Sequence, residues 1–129
     1  MANVLIIEPN RVLGQIYHQA LSGAGHIVQT CATAQAAVLA ADERVPDVVV
    51  VELQLVSHSG VEFLYEFRSY ADWQDVPVIA HSHVPVVEFG ERLGAIQEQL
   101  GIVEYLYKPT TSLANLLASV NRATATVRV

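Results

Sequence analysis

Only one cysteine, Cys31, occurs among the 129 residues of this chain. An internal disulfide framework and a cysteine metal cluster are therefore excluded, and a soluble, reducing, cytoplasmic setting is expected. Charge is scarce, at 16% of residues, and only 7 basic residues stand against 13 acidic ones, for a net charge of −6. A duplex-binding domain needs a basic face to neutralise phosphates, and no Lys/Arg cluster is visible. Direct nucleic-acid binding is not expected, and protein partners are favoured. No apolar run approaches the roughly 20 residues needed to cross a bilayer. No basic segment followed by an apolar one opens the chain, so neither a membrane span nor a signal peptide is expected. No Gly-rich phosphate loop follows the first apolar run, where Glu8-Pro9-Asn10 stands instead, which counts against a dinucleotide-type site. Hydrophobic residues make up 52% of the chain, which excludes disorder. The length suits one domain with a single sizeable core.

What is plentiful is β-branched apolar sequence, densest in Pro46-Asp47-Val48-Val49-Val50-Val51-Glu52-Leu53-Gln54-Leu55. Four valines follow a Pro-Asp turn and end on one carboxylate. β-branched residues lose little by extending, and a run without polar alternation fits a strand buried on both faces of a parallel sheet. The first acid after such a strand emerges at its carboxyl end, the edge where open α/β sheets bind ligands. Glu52 is therefore the first candidate functional residue.

The remaining sequence repeats the pattern. Ala2-Asn3-Val4-Leu5-Ile6-Ile7 is a second buried-strand run that ends on Glu8, with Pro9 as a stop and Asn10 as a cap for a helix carrying Leu13, Ile16, Tyr17, Ala20 and Leu21. His26 to Cys31 reads as a less buried strand, and Thr33 caps an alanine-rich helix reaching about Arg44. After Ser57-His58-Ser59-Gly60 a helix turns Val61, Leu64 and Phe67 inward. Asp75 to Ala80 is expected as a fourth strand, with Pro77 near its first residue and His81-Ser82-His83 closing it. Pro85 is expected to start a helix with Phe89, Leu93, Ile96 and Leu100, ended by Gly101. Ile102 to Tyr107 is a fifth strand, and Thr110, Thr111 or Ser112 caps a last helix with Leu113, Leu116, Leu117 and Val120 inside. Five strands alternating with five helices predict a parallel sheet covered on both faces. The expected division is a domain over residues 1–122 and a tail over residues 123–129.

At the carboxyl edge the chain collects Glu8, Glu52, Ser82 and Lys108-Pro109, each from a different strand end. In Val4-Leu5-Ile6-Ile7-Glu8, Pro46 to Glu52, Pro77-Val78-Ile79-Ala80-His81-Ser82 and Tyr105-Leu106-Tyr107-Lys108-Pro109 the sequence resembles a response-regulator receiver domain, from Val4 to about Val120. The resemblance implies a flavodoxin-like five-stranded sheet in the order 2-1-3-4-5. It further implies a two-component signalling role without enzymatic activity of its own, and a third-strand acid that accepts a phosphoryl group from a histidine kinase. Two acids after strand one would help hold Mg2+, Ser82 would match the hydroxyl that binds the phosphoryl oxygens, and Lys108 the lysine that pairs with them. Tyr105 would match the switch aromatic, and Lys108-Pro109 would be a cis peptide. The face built by the helix over residues 86–100, the strand over 102–107 and the final helix would meet protein partners, including a second copy of the chain.

Two positions depart from the family pattern. Glu52 replaces the acceptor aspartate, and Pro9 replaces the second metal-binding acid, leaving Glu8 alone. Mg2+ requires near-octahedral oxygens at about 2.0–2.1 Å, so losing one carboxylate and lengthening another weakens charge and geometry together. Phosphoryl transfer is sensitive to displacements of about 1 Å. The expected protein is thus a pseudo-receiver that works without phosphorylation, with no cofactor and with Mg2+ binding weak or lost. An ion pair between Glu52 and Lys108 would remain, and Glu52 would either imitate the phosphorylated acid or persist as a relic. A working receiver phosphorylated at Glu52 and a flavodoxin-like ligand or metal binder are the alternatives. For the latter, His58, His81 and His83 border the same edge and, with Glu8 and Glu52, offer imidazole and carboxylate ligands of a zinc type, though without a metal-ligand spacing. Cys31 reads as a small core residue, and Glu62 to Arg68 as a helix with a solvated outer face.

Overall fold

The five apolar runs form one parallel sheet in the computed structural model of the protein, which describes residues 2–55 and 59–125. The strands are β1 (Asn3–Ile7), β2 (Ile27–Cys31), β3 (Val48–Val51), β4 (Val78–Ser82) and β5 (Ile102–Tyr107), ordered β2-β1-β3-β4-β5. The helices are α1 (Arg11–Gly23), α2 (Ala34–Glu43), α3 (Gly60–Ser69), α4 (Leu93–Leu100) and α5 (Leu113–Ala123). The alternation of elements predicts such a doubly wound parallel sheet, and the strand order is the flavodoxin-like one that the receiver resemblance implies.

Period-two alternation along the central strands divides their side chains between two cores. Val4, Ile6, Val48, Val50 and Ile79 face Tyr17 and Leu21 of α1 and Leu116 and Val120 of α5. Leu5, Ile7, Val49, Val51, Val78 and Ala80 face the alanines of α2 and Phe63, Leu64 and Phe67 of α3. None of the four β3 valines is more than 2% exposed, and burying each is worth about 1.5–3 kcal/mol. The strand is thereby fixed end to end, and the position of Glu52 with it. Asn10, Thr33 and Ser112 cap their helices as the sequence suggests, and Ser59 caps α3; each accepts a backbone N–H of the first turn of its helix.

Some expectations are corrected. The fourth strand starts at Val78 and reaches Ser82, so Pro77 lies before it, where its missing N–H costs no ladder bond. The stretch after Pro85 is not one helix. A 3-10 segment, Val86–Arg92, precedes α4, and Gly90 interrupts it at φ 56°, ψ −134°. Glycine reaches that region without the Cβ clash other residues meet, which is why apolar spacing alone misreads the segment as continuous. α1 runs through Gly23, and the residue of positive φ that follows it is Gly25. The Lys108–Pro109 peptide is trans. Lys108, Pro109 and Thr110 form a short 3-10 turn, which suits the fixed φ of proline and the usual preference for trans. Ser57 and His58 lie outside the described residues, as do the last four residues of the expected tail. Thr124 is fully buried, its hydroxyl donating to the Val120 carbonyl at 2.8 Å. Among the described residues, no helix is long and apolar enough to cross a membrane.

One glycine sets the geometry of the functional edge. The Gly60 N–H donates to the Leu53 carbonyl at 2.7 Å, and a Cβ on Gly60 would lie 2.6 Å from both the Glu52 carbonyl oxygen and Leu53 Cα. These are backbone atoms that cannot rotate away. Gly60→Ala is expected to lower unfolding free energy by about 1–3 kcal/mol in urea titration, with amide shifts largest at Glu52 and Leu53. Wild-type stability and unmoved amides would show that the backbone has slack here.

Candidate functional site

The candidate site is built from strand ends. Glu8 follows β1, Glu52 follows β3, Ser82 closes β4 and Lys108 follows β5. The Glu8 N–H donates to the Cys31 carbonyl at 2.8 Å and the Glu52 N–H to the Ile7 carbonyl at 3.0 Å. Both acids thus continue the sheet ladder by one residue and stand side by side. All four side chains are buried.

Lys108 Nζ joins the two acids, donating to Glu52 Oε1 at 2.7 Å and to Glu8 Oε1. Glu52 Oε1 also accepts the His83 N–H at 3.1 Å. Glu52 Oε2 accepts the Ser82 hydroxyl and, at 3.1 Å, the Gln54 N–H. Glu8 Oε2 accepts the Asn10 N–H at 3.1 Å. Every oxygen of the two carboxylates therefore has a donor, which is what burying them demands. Burial by itself would raise the Glu52 carboxyl pKa. The hydrogen bonds from Lys108, Ser82 and the Gln54 N–H, with the charge of Lys108, outweigh it and hold the group at about 2.

Beneath the acids, Tyr17 and His81 pack edge to face with ring centroids 4.9 Å apart. Burial first, then the charges of Glu8 and Glu52, push the Tyr17 phenol up to about 12. Burial and the Lys108 charge press His81 down to about 4, so it is neutral at physiological pH. His83 is half exposed, yet its Nδ1 lies 3.3 Å from Glu52 Oε1. His58 lies outside the described residues, and among the described ones no three His, Cys, Asp or Glu side chains are grouped to hold a metal ion.

Tyr105 is partly buried, and burial pushes its phenol up to about 12. Its ring meets Phe89 edge-on at 6.0 Å between centroids, and its hydroxyl donates to the Val84 carbonyl. The Val84 N–H in turn donates to Ser82 Oγ at 3.0 Å. An unbroken series of bonds thus leads from Glu52 through Ser82 and Val84 to Tyr105. Pro9 contributes no acceptor side chain. With Glu8, Asn10, Glu52, Gln54 and His83 it borders an open cavity of about 310 Å³ above the acids.

The divalent cation that the receiver pattern implies does not fit these residues. The Lys108 ammonium lies between the two carboxylates and holds the oxygen of each that a bridging ion would need, and Pro9 supplies no further acid.

Sequence reasoning placed Glu8, Glu52, Ser82 and Lys108 at one edge, and the structure brings all four together. It missed the bond from Lys108 to Glu8, the contacts of His83 and the backbone donors of Gln54 and His83. One signal was available for the first: Lys108 is the only lysine in the chain, and it follows an apolar strand at the edge where two buried acids emerge. Backbone donors leave no mark in side-chain identity.

Residues 4–121 match the family described as response regulator receiver domain. The chain is 34% identical over 109 residues to the KDP operon transcriptional regulatory protein KdpE of Escherichia coli K12, covering 84% of this chain and 45% of that protein. It is 32% identical over 128 residues to the transcriptional regulatory protein KdpE of Mycobacterium tuberculosis, covering 97% of this chain and 54% of that one. The chain therefore spans about half the length of these relatives. In fold it is similar to the chemotaxis response regulator CheY4 of Vibrio cholerae, with a TM-score of 0.83 at 23% identity over 95% of this chain and 98% of that one.

Two of the perturbed groups, His81 and Glu52, act on acid stability in the same direction. Between pH 6.5 and about 4 the unfolded chain takes up a proton that folded His81 refuses. Between about 4.5 and about 2 the same holds for Glu52. In both windows the unfolded state binds more protons, so stability falls as pH falls. Each group contributes on the order of 3 kcal/mol at most. In urea unfolding across a pH series, His81→Phe should flatten the upper part of the acid limb and Glu52→Gln the lower part. A limb unchanged in either variant would place the proton uptake elsewhere.

Proposed function

We propose that this chain, which belongs to the response regulator receiver domain family, serves two-component signalling as a module that works without being phosphorylated. The observation that carries this reading is the hydrogen bonding of Glu52. Its carboxylate takes up the Ser82 hydroxyl, the Lys108 ammonium and the Gln54 and His83 N–H groups. In the family pattern the hydroxyl and the lysine serve a phosphoryl group. Here they serve the side chain at the acceptor position itself, and Pro9 withholds the second metal-binding acid. Glu52 is thus the phosphoacceptor equivalent, Glu8 and Pro9 the altered acidic pair, Ser82 and Tyr105 the switch, and Lys108 with Pro109 the phosphate-pairing equivalent. The module carries α5 on to Ala123 and the buried Thr124, and in this reading it acts in the cytoplasm on protein partners, with no chemistry of its own. Incubation with acetyl phosphate and Mg2+ should leave the intact mass unchanged under conditions that label ordinary receivers. An adduct of one phosphoryl group mapped to Glu52 would establish the opposite reading, a working acceptor.

The partner surface in this reading is the segment over residues 86–100, β5 and α5. Val86, Val87, Val103 and Leu113 are exposed on these elements, an apolar set that suits a protein partner or a second copy. Glu104 on β5 accepts the Ser119 hydroxyl of α5 at 2.7 Å and the Nε and Nη2 hydrogens of Arg122, also of α5, at 3.2 and 2.6 Å, so the two elements are tied into one face. If Glu52 imitates a phosphorylated acid, Glu52→Gln and Tyr105→Ala should both weaken association with a partner or with itself, because they lie on one series of bonds. Association kept in Glu52→Gln but lost in Tyr105→Ala would make the face constitutive and Glu52 a relic.

A further inference from the structure

Lys108 does more than pair with Glu52. Its ammonium has three donors, and two of them reach one oxygen of Glu8 and one of Glu52. It is buried, and it is the only lysine in the chain. A divalent cation bridging the ends of β1 and β3 would need those same oxygens. The remaining oxygen of Glu8 holds the Asn10 N–H, and the remaining oxygen of Glu52 holds Ser82 and the Gln54 N–H. No other carboxylate completes the set: Pro9 follows Glu8, and among the described residues no third acid, histidine or cysteine is grouped with the two to hold a metal ion. Two carboxylates and one ammonium leave a net charge of −1, so the ammonium offsets one of the two buried negative charges.

We propose that Lys108 is the resident cation of this site, a tethered ammonium occupying the bridging place between Glu8 and Glu52 and closing it to divalent ions. The proposal rests on the reading of the chain as a receiver whose acidic edge is altered, and it adds the regulation of that edge: its state does not depend on the Mg2+ concentration. A tethered charge cannot dissociate, whereas a bound ion exchanges with solvent. The proposal also assigns Glu8 a role, as the second arm of the bridge rather than a remnant of a metal pair.

Two measurements test it. The first uses the native protein. With a single lysine, selective 15N labelling gives one side-chain ammonium signal, and an ammonium held by two buried carboxylates exchanges slowly enough to be seen. The signal is expected to be present at neutral pH and unmoved by Mg2+ up to about 20 mM. Loss or displacement of the signal as Mg2+ is added would overturn the proposal. The second removes the cation. Lys108→Gln leaves two buried acids facing each other, so the variant should be destabilised and should acquire Mn2+ affinity at least about tenfold above that of the wild type, seen as a metal-dependent rise in Tm. Lys108→Gln combined with Glu8→Gln should lose that affinity again. Should Lys108→Gln unfold, added Mn2+ is expected to recover folded protein, and failure of Mn2+ to do so would count against the proposal, as would a folded variant that binds no metal. Phosphorylation of the wild type would refute the functional reading, whereas a variant without metal affinity, in a chain that takes no phosphoryl group, would refute only the role given to Lys108.

Discussion

The functional edge depends on one buried ammonium between two buried carboxylates. Moving three charged groups out of water costs several kcal/mol for each, and only close pairing offsets that. Lys108 meets both acids, and the backbone N–H groups of Asn10, Gln54 and His83 fill the remaining directions. Such a cluster adds little to stability compared with apolar side chains of the same volume, but removing one member leaves an uncompensated charge. Its effect is conformational: it joins the ends of β1, β3 and β5, three strands that share no single neighbour in the sheet order.

That junction is possible because the strands deliver their acids in register. Ile7 and Val51 are paired residues of neighbouring strands, so the next residue of each is an acid at the same level of the sheet. β3 is held at both ends, by Asp47 bonding Asn3 through backbone and side chain and by the Glu52 N–H on the Ile7 carbonyl, and a shift of one residue would draw one of these acids into the apolar layer. Close backbone approach completes the arrangement at two glycines. Gly60 lets α3 start against the Glu52 carbonyl. At Gly14 of α1 an added Cβ would lie 3.1 Å from Thr30 Cγ2 and 3.7 Å from the Glu8 side chain, so α1 lies directly over the β1–β2 end of the site. The opposite edge of the sheet is held differently. Arg68 there donates to the carbonyls of Leu100, Trp73, Gln74 and Val76, a purely structural use of a partly buried cation and a contrast with the buried Lys108.

Most strands were legible in the sequence because unbroken apolar runs such as Val48 to Val51 have one common use, the middle of a parallel sheet, whereas their order came only with the family resemblance. Glu52, Ser82 and Lys108 were legible for a related reason: each lies where an apolar run gives way to polar sequence. What depended on three dimensions was not legible. Nothing in the spacing of Glu8 and Lys108 along the chain announces that they touch, and the contacts of His83 with Glu52 come from the turn after β4. The helix expected from Pro85 failed at Gly90, because Phe89, Leu93, Ile96 and Leu100 keep helical spacing across a residue whose backbone leaves the helix. The cis peptide expected from the family pattern at Lys108–Pro109 is absent, since a 3-10 turn accommodates proline in trans.

Magnitudes decide how far Glu52 can act as a built-in signal. Within the functional reading, its carboxylate favours the arrangement in which the Ser82 hydroxyl points at it, Ser82 Oγ accepts the Val84 N–H and Tyr105 bonds the Val84 carbonyl. A hydrogen bond to a charged group is worth about 1.5–3 kcal/mol net, and one between neutral groups about 0.5–1.5. Reversing a two-state population from about 1:99 to 99:1 takes about 5.5 kcal/mol. The Glu52–Ser82 bond alone falls short of that. The bond from Lys108 to Glu52 adds nothing unless it differs between the two arrangements, because only differential interaction shifts a population. Glu52 therefore biases the Ser82–Tyr105 element without locking it. A protein partner that prefers one position of Tyr105 has to supply only the remaining few kcal/mol, so output in this reading is set jointly by the fixed carboxylate and by the partner, where an ordinary receiver would vary the first.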